Sequence, residues 1–303
     1  VYDLGYKRYI GTRLPQGLRW RVIMRQQLSS AWKTWWRFKL SMVSAVVATL
    51  VAGAVMYAAS DTVMRILTRS GAHSAEFNPM NQLALRFIDG ILPLSVVWYC
   101  KIGFIASMTV AASVVATDVR TGAFTFYFAR SVRPLDYVLG KAAGLALLAG
   151  ILTFAGPVLL ALLRVGLSDS TAQLGMQLRG VAYAGVVGAL ATALYSIVPL
   201  GFSALVADRR WAVGLWALYY VAFGSIMTGL AFAVWPPLAA LDLPNALSRV
   251  SYALFDVVLS DRGVPRFSIA WDVGSIAAHT VAALGLVWWR VDKSARDGVG
   301  GMS

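Results

Sequence analysis

The stretch LSMVSAVVATLVAGAVMYAA, residues 40–59, decides the fold, because it runs twenty residues without a charge. A helix rises about 1.5 Å per residue, so such a run is roughly as long as the hydrocarbon core of a bilayer is thick. Five further stretches are predominantly apolar over a similar or greater length: 91–116, 138–163, 181–207, 211–235 and 269–289. The expected fold class is an all-α integral membrane protein with six spans. Residues 1–39 form an N-terminal segment, 40–289 the transmembrane domain and 290–303 a tail.

Composition agrees with that reading. The 303 residues are 58% hydrophobic and 14% charged, against about 45–50% and about 25% in soluble domains. A globule of this size would lack the charge to cover its surface. The net charge of +13 would point to nucleic acid in a soluble protein. Here the cations lie between the apolar runs, so topology accounts for them and no nucleic-acid partner is expected. Segments on the N-terminal side of the bilayer hold eighteen Lys and Arg, among them Arg25, Arg120, Lys141, Arg209 and Lys293. Segments on the other side hold eight, including Arg65, Arg164 and Arg249. The positive-inside rule then predicts that both termini are cytoplasmic. The first 39 residues are polar, basic and aromatic, so no cleavable signal peptide is expected. Cys100, the single cysteine, excludes an intrachain disulfide. Pro93, Pro157 and Pro199 are compatible with helices in lipid. The pairs Gly140/Gly144 and Ala48/Ala52 permit close helix contact. No internal repeat is evident, which argues against the inverted-repeat secondary transporters.

Three segments outside the spans carry more information. Before the first span, Trp20, Met24, Leu28, Ala31, Trp35 and Phe38 fall within about an 80° sector of a helix, opposite Arg21, Arg25, Lys33, Arg37 and Lys39. This predicts a basic amphipathic helix in the membrane interface, with an ordinary juxtamembrane anchor as the alternative. Between spans two and three, residues 118–134 hold a helix-compatible run, 123–130, that Pro134 should end. Phe124, Phe126, Tyr127 and Phe128 lie in it, flanked by Arg120, Arg130 and Arg133. Aromatics ringed by arginine form the core of a protein interface; the alternative is that the rings dip into the bilayer. Finally, residues 236–268 make a long external loop. In it Leu247, Val250, Leu254 and Val257 share one face of an expected helix that caps the bundle.

From the second segment onward the chain resembles the permease subunits of bacterial type-2 ABC exporters. The resemblance rests on Asp118, on Thr121-Gly122-Ala123-Phe124, and on Arg133-Pro134-Leu-Asp-Tyr-Val-Leu-Gly140-Lys141. Asp118 stands where Glu is more usual, and Thr-Gly reverses the usual order. The opening Tyr2–Arg13 segment is similar to the N-termini of some bacterial members. The resemblance implies a permease fold with an interfacial helix, a cytoplasmic coupling helix after span two and external helices before span six. It also implies a bacterial inner-membrane location, a second permease chain and two separate ABC ATPase subunits. ATP and Mg would sit in the partner ATPase, with no cofactor in this chain. Asp118, Arg120, Thr121, Gly122, Phe124, Phe126, Tyr127, Phe128, Arg130, Arg133 and Pro134 would form the coupling element. Trp20, Met24, Leu28, Trp35 and Phe38 would form the interfacial helix. The exported substrate would be a lipid, a hydrophobic natural product or a drug. An alternative is a membrane scaffold or assembly factor whose ATPase-driven motion acts on an extracytoplasmic partner protein.

Catalytic readings fare less well. Gly140-Lys141 lacks the upstream Gly and following Ser or Thr of a phosphate loop, since Leu135 and Ala142 stand there. A remote alternative is an intramembrane serine protease using Ser203 and His279. Along their spans these residues differ in depth by roughly 15–18 Å. With His73 and His279 the only histidines, and no span holding two carboxylates, no metal site is expected. Lys101 is the one clear mid-span charge, and with Tyr99 it is a candidate for the translocation path. Alternatively Lys101 snorkels, or pairs with Asp256 or Asp272.

Overall fold

A computed structural model describes residues 18–34, 36–58, 60, 79–129, 132–168, 171–257 and 267–300. Trp35, Arg130, His73 and the Tyr2–Arg13 segment lie outside the described residues. The described structure is all-α, with no strand. Six helical stretches are long and apolar enough to cross a membrane: Trp36–Ala58, Gly90–Arg120, Pro134–Thr153, Leu174–Leu205, Arg209–Ala233 and Ile269–Arg296.

In chain order the helices are α1 (Arg19–Thr34), α2 (Trp36–Ala58), α3 (Pro79–Val110), α4 (Val114–Arg120), α5 (Ala123–Ala129) and α6 (Pro134–Thr153). They continue as α7 (Ala155–Gly166), α8 (Thr171–Leu205), α9 (Arg209–Leu218), α10 (Gly224–Ala233), α11 (Leu243–Leu254) and α12 (Ile269–Gly300). One end of the bundle gathers α1, α4, α5 and the start of α9, and is called the basic end below. The other end carries α11.

Three of the spans are interrupted. At the α3–α4 junction the Ser107 carbonyl accepts from both Ala111 and Ala112 N–H, at 2.9 Å each, so the helix slips register and restarts at Val114. The Ala116 N–H in the new first turn is satisfied by the Ser203 hydroxyl at 3.0 Å. The third stretch was expected to run unbroken over 138–163. Instead it splits at Phe154 into α6 and α7, because Pro157 has no N–H for the Thr153 carbonyl. The fifth contains a π-helical turn, Tyr219–Phe223, between α9 and α10. Its extra residue fans the aromatics apart: Tyr220 stacks on Phe104 at 3.7 Å, while the Tyr219 hydroxyl bonds His279 Nε2 at 2.7 Å.

At the far end, Asp242 caps α11 by accepting from Asn245 N–H, and also takes bonds from Asn245 Nδ2 and Thr228 Oγ1 at 2.7 and 2.8 Å. Leu243, Ala246, Leu247 and Val250 are all buried, so α11 is sunk among the spans rather than resting on top of them. Of the expected face, Leu247 and Val250 point inward and Leu254 is half-buried; Val257 lies past the helix end. Arg249 clamps this helix to α12, with Nη2 at 2.7 Å from Asp272 Oδ1 and 2.8 Å from the Ala239 carbonyl.

The N-terminal helix differs from expectation in the face it buries. Ile23, Gln27 and Ala31 are its most buried residues, while Trp20, Met24 and Leu28 are half-buried. Glycine decides this. A Cβ on Gly140 would lie 2.6 Å from Ile23 Cβ and 2.7 Å from the Trp20 carbonyl oxygen, and one on Gly144 would lie 3.0 Å from Gln27 Cβ. Helix α1 therefore lies in a groove that only glycine leaves open on α6. Phe38 is buried in the core from the first turn of α2.

Candidate functional site

A convergence of charged, polar and aromatic side chains lies at the basic end, around the loop between the second and third spans. Helix α4 closes at Arg120, and the chain turns through Gly122 at φ +66°, a conformation that glycine adopts without strain. Helix α5 follows. It is described as far as Ala129, and Pro134 starts the next helix. The Arg133 N–H donates to the Asp136 carboxylate at 3.2 Å, closing the first turn of α6.

The four aromatic residues of α5 do not share one exposed face. Phe124 is buried, with its ring edge-on to Tyr137 at 5.2 Å and stacked near Phe128 at 5.7 Å. Tyr127 also meets Tyr137 edge-on, at 5.5 Å. Phe126 alone points away and is 73% exposed. Two rings, Phe124 and Tyr127, anchor the helix on Tyr137 of the third span, Phe128 packs on Phe124, and Phe126 is left for anything that docks from outside. Thr121, Gly122 and Arg133 are exposed beside it. Arg120 reaches Asp208 at 3.4 Å in an exposed ion pair, worth at most about 1 kcal/mol.

Beneath the aromatic anchor is a polar knot. Lys141 Nζ lies 2.9 Å from Asp118 Oδ2, and both side chains are largely buried. The Tyr137 hydroxyl donates to the same carboxylate at 2.6 Å. The Lys141 ammonium also donates to Gln27 Oε1 at 3.2 Å. One carboxylate, one ammonium, one phenol and one amide thus join α4, α6 and α1. The Tyr127 hydroxyl titrates above the ordinary tyrosine range, chiefly because it is buried and secondly because of the Asp118 charge. It therefore remains a neutral donor at physiological pH.

The sequence singled out Asp118 but not its partners Tyr137 and Lys141, nor Gln27, which accepts from Lys141. The signal was there: Tyr137 and Lys141 are spaced i, i+4 at the start of a span, where a buried lysine needs an acid.

The mid-span residues separate. Tyr99 is buried, its hydroxyl is 2.6 Å from Thr49 Oγ1, and its ring packs directly on Gly156. It ties α2, α3 and α7 together. Lys101 is exposed on the outer face of α3, with Nζ 4.7 Å from the centre of the Trp98 ring. Asp272 belongs to Arg249, so the alternative Lys101–Asp272 pairing is not formed. Among the described residues no carboxylate lies within ion-pair distance of Lys101. A lysine at mid-span costs about 2.5–3.5 kcal/mol on insertion scales, and a tryptophan face returns about 0.5–2 kcal/mol. The lysine is incompletely compensated by protein.

Beside Lys101, α2 and α3 diverge around a groove of about 650 Å³. Its lining is almost entirely apolar, from Val43 and Val47 to Val55 on α2 and from Ile91 and Leu94 to Trp98 and Ile102 on α3.

Ser203 and His279 are committed elsewhere. The serine hydroxyl is fully buried against Ala116 N–H, and the imidazole lies between the Tyr219 hydroxyl and the Ser275 carbonyl. No hydrogen bond joins the two. No family model matches this chain, and no curated protein matches it.

Proposed function

We propose that this chain is the transmembrane subunit of an ATP-driven exporter in a bacterial inner membrane, with both termini cytoplasmic. It would work as a pair of permease chains above two separate ABC ATPase subunits that bind ATP and Mg. The observation that supports the reading is the construction of the loop between the second and third spans: Phe124 and Tyr127 anchor the short helix α5 on Tyr137, while Phe126 and, at the start of α6, Arg133 stay exposed.

The chemistry of the knot suits force transmission. A push on α5 reaches Tyr137 on the third span through Phe124 and Tyr127. Tyr137 and Lys141 hold Asp118, so the second span moves with the third. Gln27 brings α1 along. Closure of the ATPases would therefore shift α1 and both spans as one unit and change access at the interface between permease chains. The substrate would be a lipid, a hydrophobic natural product or a drug.

Affinity purification of the full chain from its native membranes tests this. A stoichiometric ABC ATPase is expected in the complex, and the double variant Phe126→Asp, Arg133→Glu should lose it while staying folded. A chain that purifies without any ATPase, or a double variant that keeps full ATPase association, overturns the proposal.

A further inference from the structure

The α2–α3 groove and Lys101 together describe a ligand. Because α2 and α3 run antiparallel, Val43 faces the Ile102 end of the groove and Val55 faces the Ile91 end. Twelve residues of helix separate Val43 from Val55, which corresponds to a trough of about 18 Å. Its hydroxyls are already bonded. Ser44 donates to the Leu40 carbonyl, Ser95 to the Leu92 carbonyl, and the Tyr99 hydroxyl is bonded to Thr49. The walls thus offer hydrocarbon contact and almost no spare hydrogen bonding. None of the described residues that line the groove is charged. Trp98 is both a wall of the groove and the platform beneath the Lys101 ammonium, which has no carboxylate partner among the described residues.

A long apolar trough beside a mid-span cation that has no carboxylate partner among the described residues matches an anionic amphiphile. We infer that the groove between α2 and α3 binds a single-tailed or lipid-like anion, with its carboxylate or phosphate on Lys101 and its tail along Val47, Val51 and Leu94. The inference rests on the exporter reading for its role, since the bound anion would be the substrate class. The binding itself requires no ATPase. A neutral lipid satisfies the walls but leaves the lysine uncompensated, and a second copy of this chain would have to bring an acid to that depth.

The test uses the full chain in nanodiscs of zwitterionic lipid, with two photo-crosslinking probes of equal length: a diazirine fatty acid and the corresponding diazirine fatty alcohol. The acid should label peptides of α2 and α3 roughly tenfold more than the alcohol, as expected for one charge-assisted contact. Lys101→Met should remove that preference, and Lys101→Arg should keep it. Val47→Trp, which fills the trough without touching the charge, should reduce labelling by both probes. Equal labelling by acid and alcohol overturns the inference, as does a preference that survives Lys101→Met. Loss of ATPase association leaves these results unchanged, so failure here and failure of the exporter reading are separately visible.

Discussion

Asp118 and Lys141 form a 2.9 Å ion pair across the loop that separates the second and third spans, with Tyr137 as a second donor to the same carboxylate. Removing one partner of a largely buried pair leaves a charge without compensation, at a cost of about 3 kcal/mol or more. Asp118→Asn and Lys141→Met should each lower the thermal midpoint of the purified chain. The double variant should recover most of the loss. A double variant as unstable as the sum of the singles would show that the pair is not the interaction that matters.

Gly140 holds α1 against the bundle. A leucine there would drive its Cβ into Ile23 and the Trp20 carbonyl. Gly140→Leu should release α1, seen as faster tryptic cleavage at Arg21 and Arg25 with the spans still intact. Gly185, where a Cβ would meet nothing within 4 Å, provides the control. Gly185→Ala should leave the cleavage rate unchanged.

Two phenylalanines two residues apart should behave oppositely. Phe124 is buried on Tyr137, so Phe124→Ala should cost about 3–5 kcal/mol. Phe126 is 73% exposed, so Phe126→Ala should change stability by less than about 0.5 kcal/mol. Chemical denaturation in detergent, followed by tryptophan fluorescence, distinguishes them. Similar losses at both positions would contradict the anchored-helix description.

At the opposite end, Arg249 uses its planar fork on Asp272 and the Ala239 carbonyl together. A lysine carries the charge but cannot make both contacts. Arg249→Lys should destabilise the chain by about 1–3 kcal/mol, and hydrogen exchange should rise in α11 first. Protection of α11 equal to wild type would remove its role as a clamp.

The solvent of this protein was legible in its sequence because it depends on run length and charge, which are local. Six uncharged or nearly uncharged runs could satisfy their backbone in lipid only as helices. The Gly140/Gly144 spacing was visible, but in glycine- and alanine-rich spans such a pair does not name its partner. Only packing showed that α1 fills the groove. The aromatic loop after the second span was visible for the same local reason. Composition could not say which rings face inward, because Tyr137, their common anchor, lies on the next helix.

By itself, then, the sequence determined six apolar spans, an asymmetric distribution of cations and an aromatic helix between the second and third spans. The tertiary structure decided what those features do to one another. It paired Asp118 with Lys141, turned Phe126 outward, assigned Asp272 to Arg249 and left Lys101 on a tryptophan beside an apolar groove. The reason is physical: hydropathy and periodicity are properties of one helix, whereas a charge's partner and a ring's exposure are set by the neighbouring helix, which one-dimensional order does not specify.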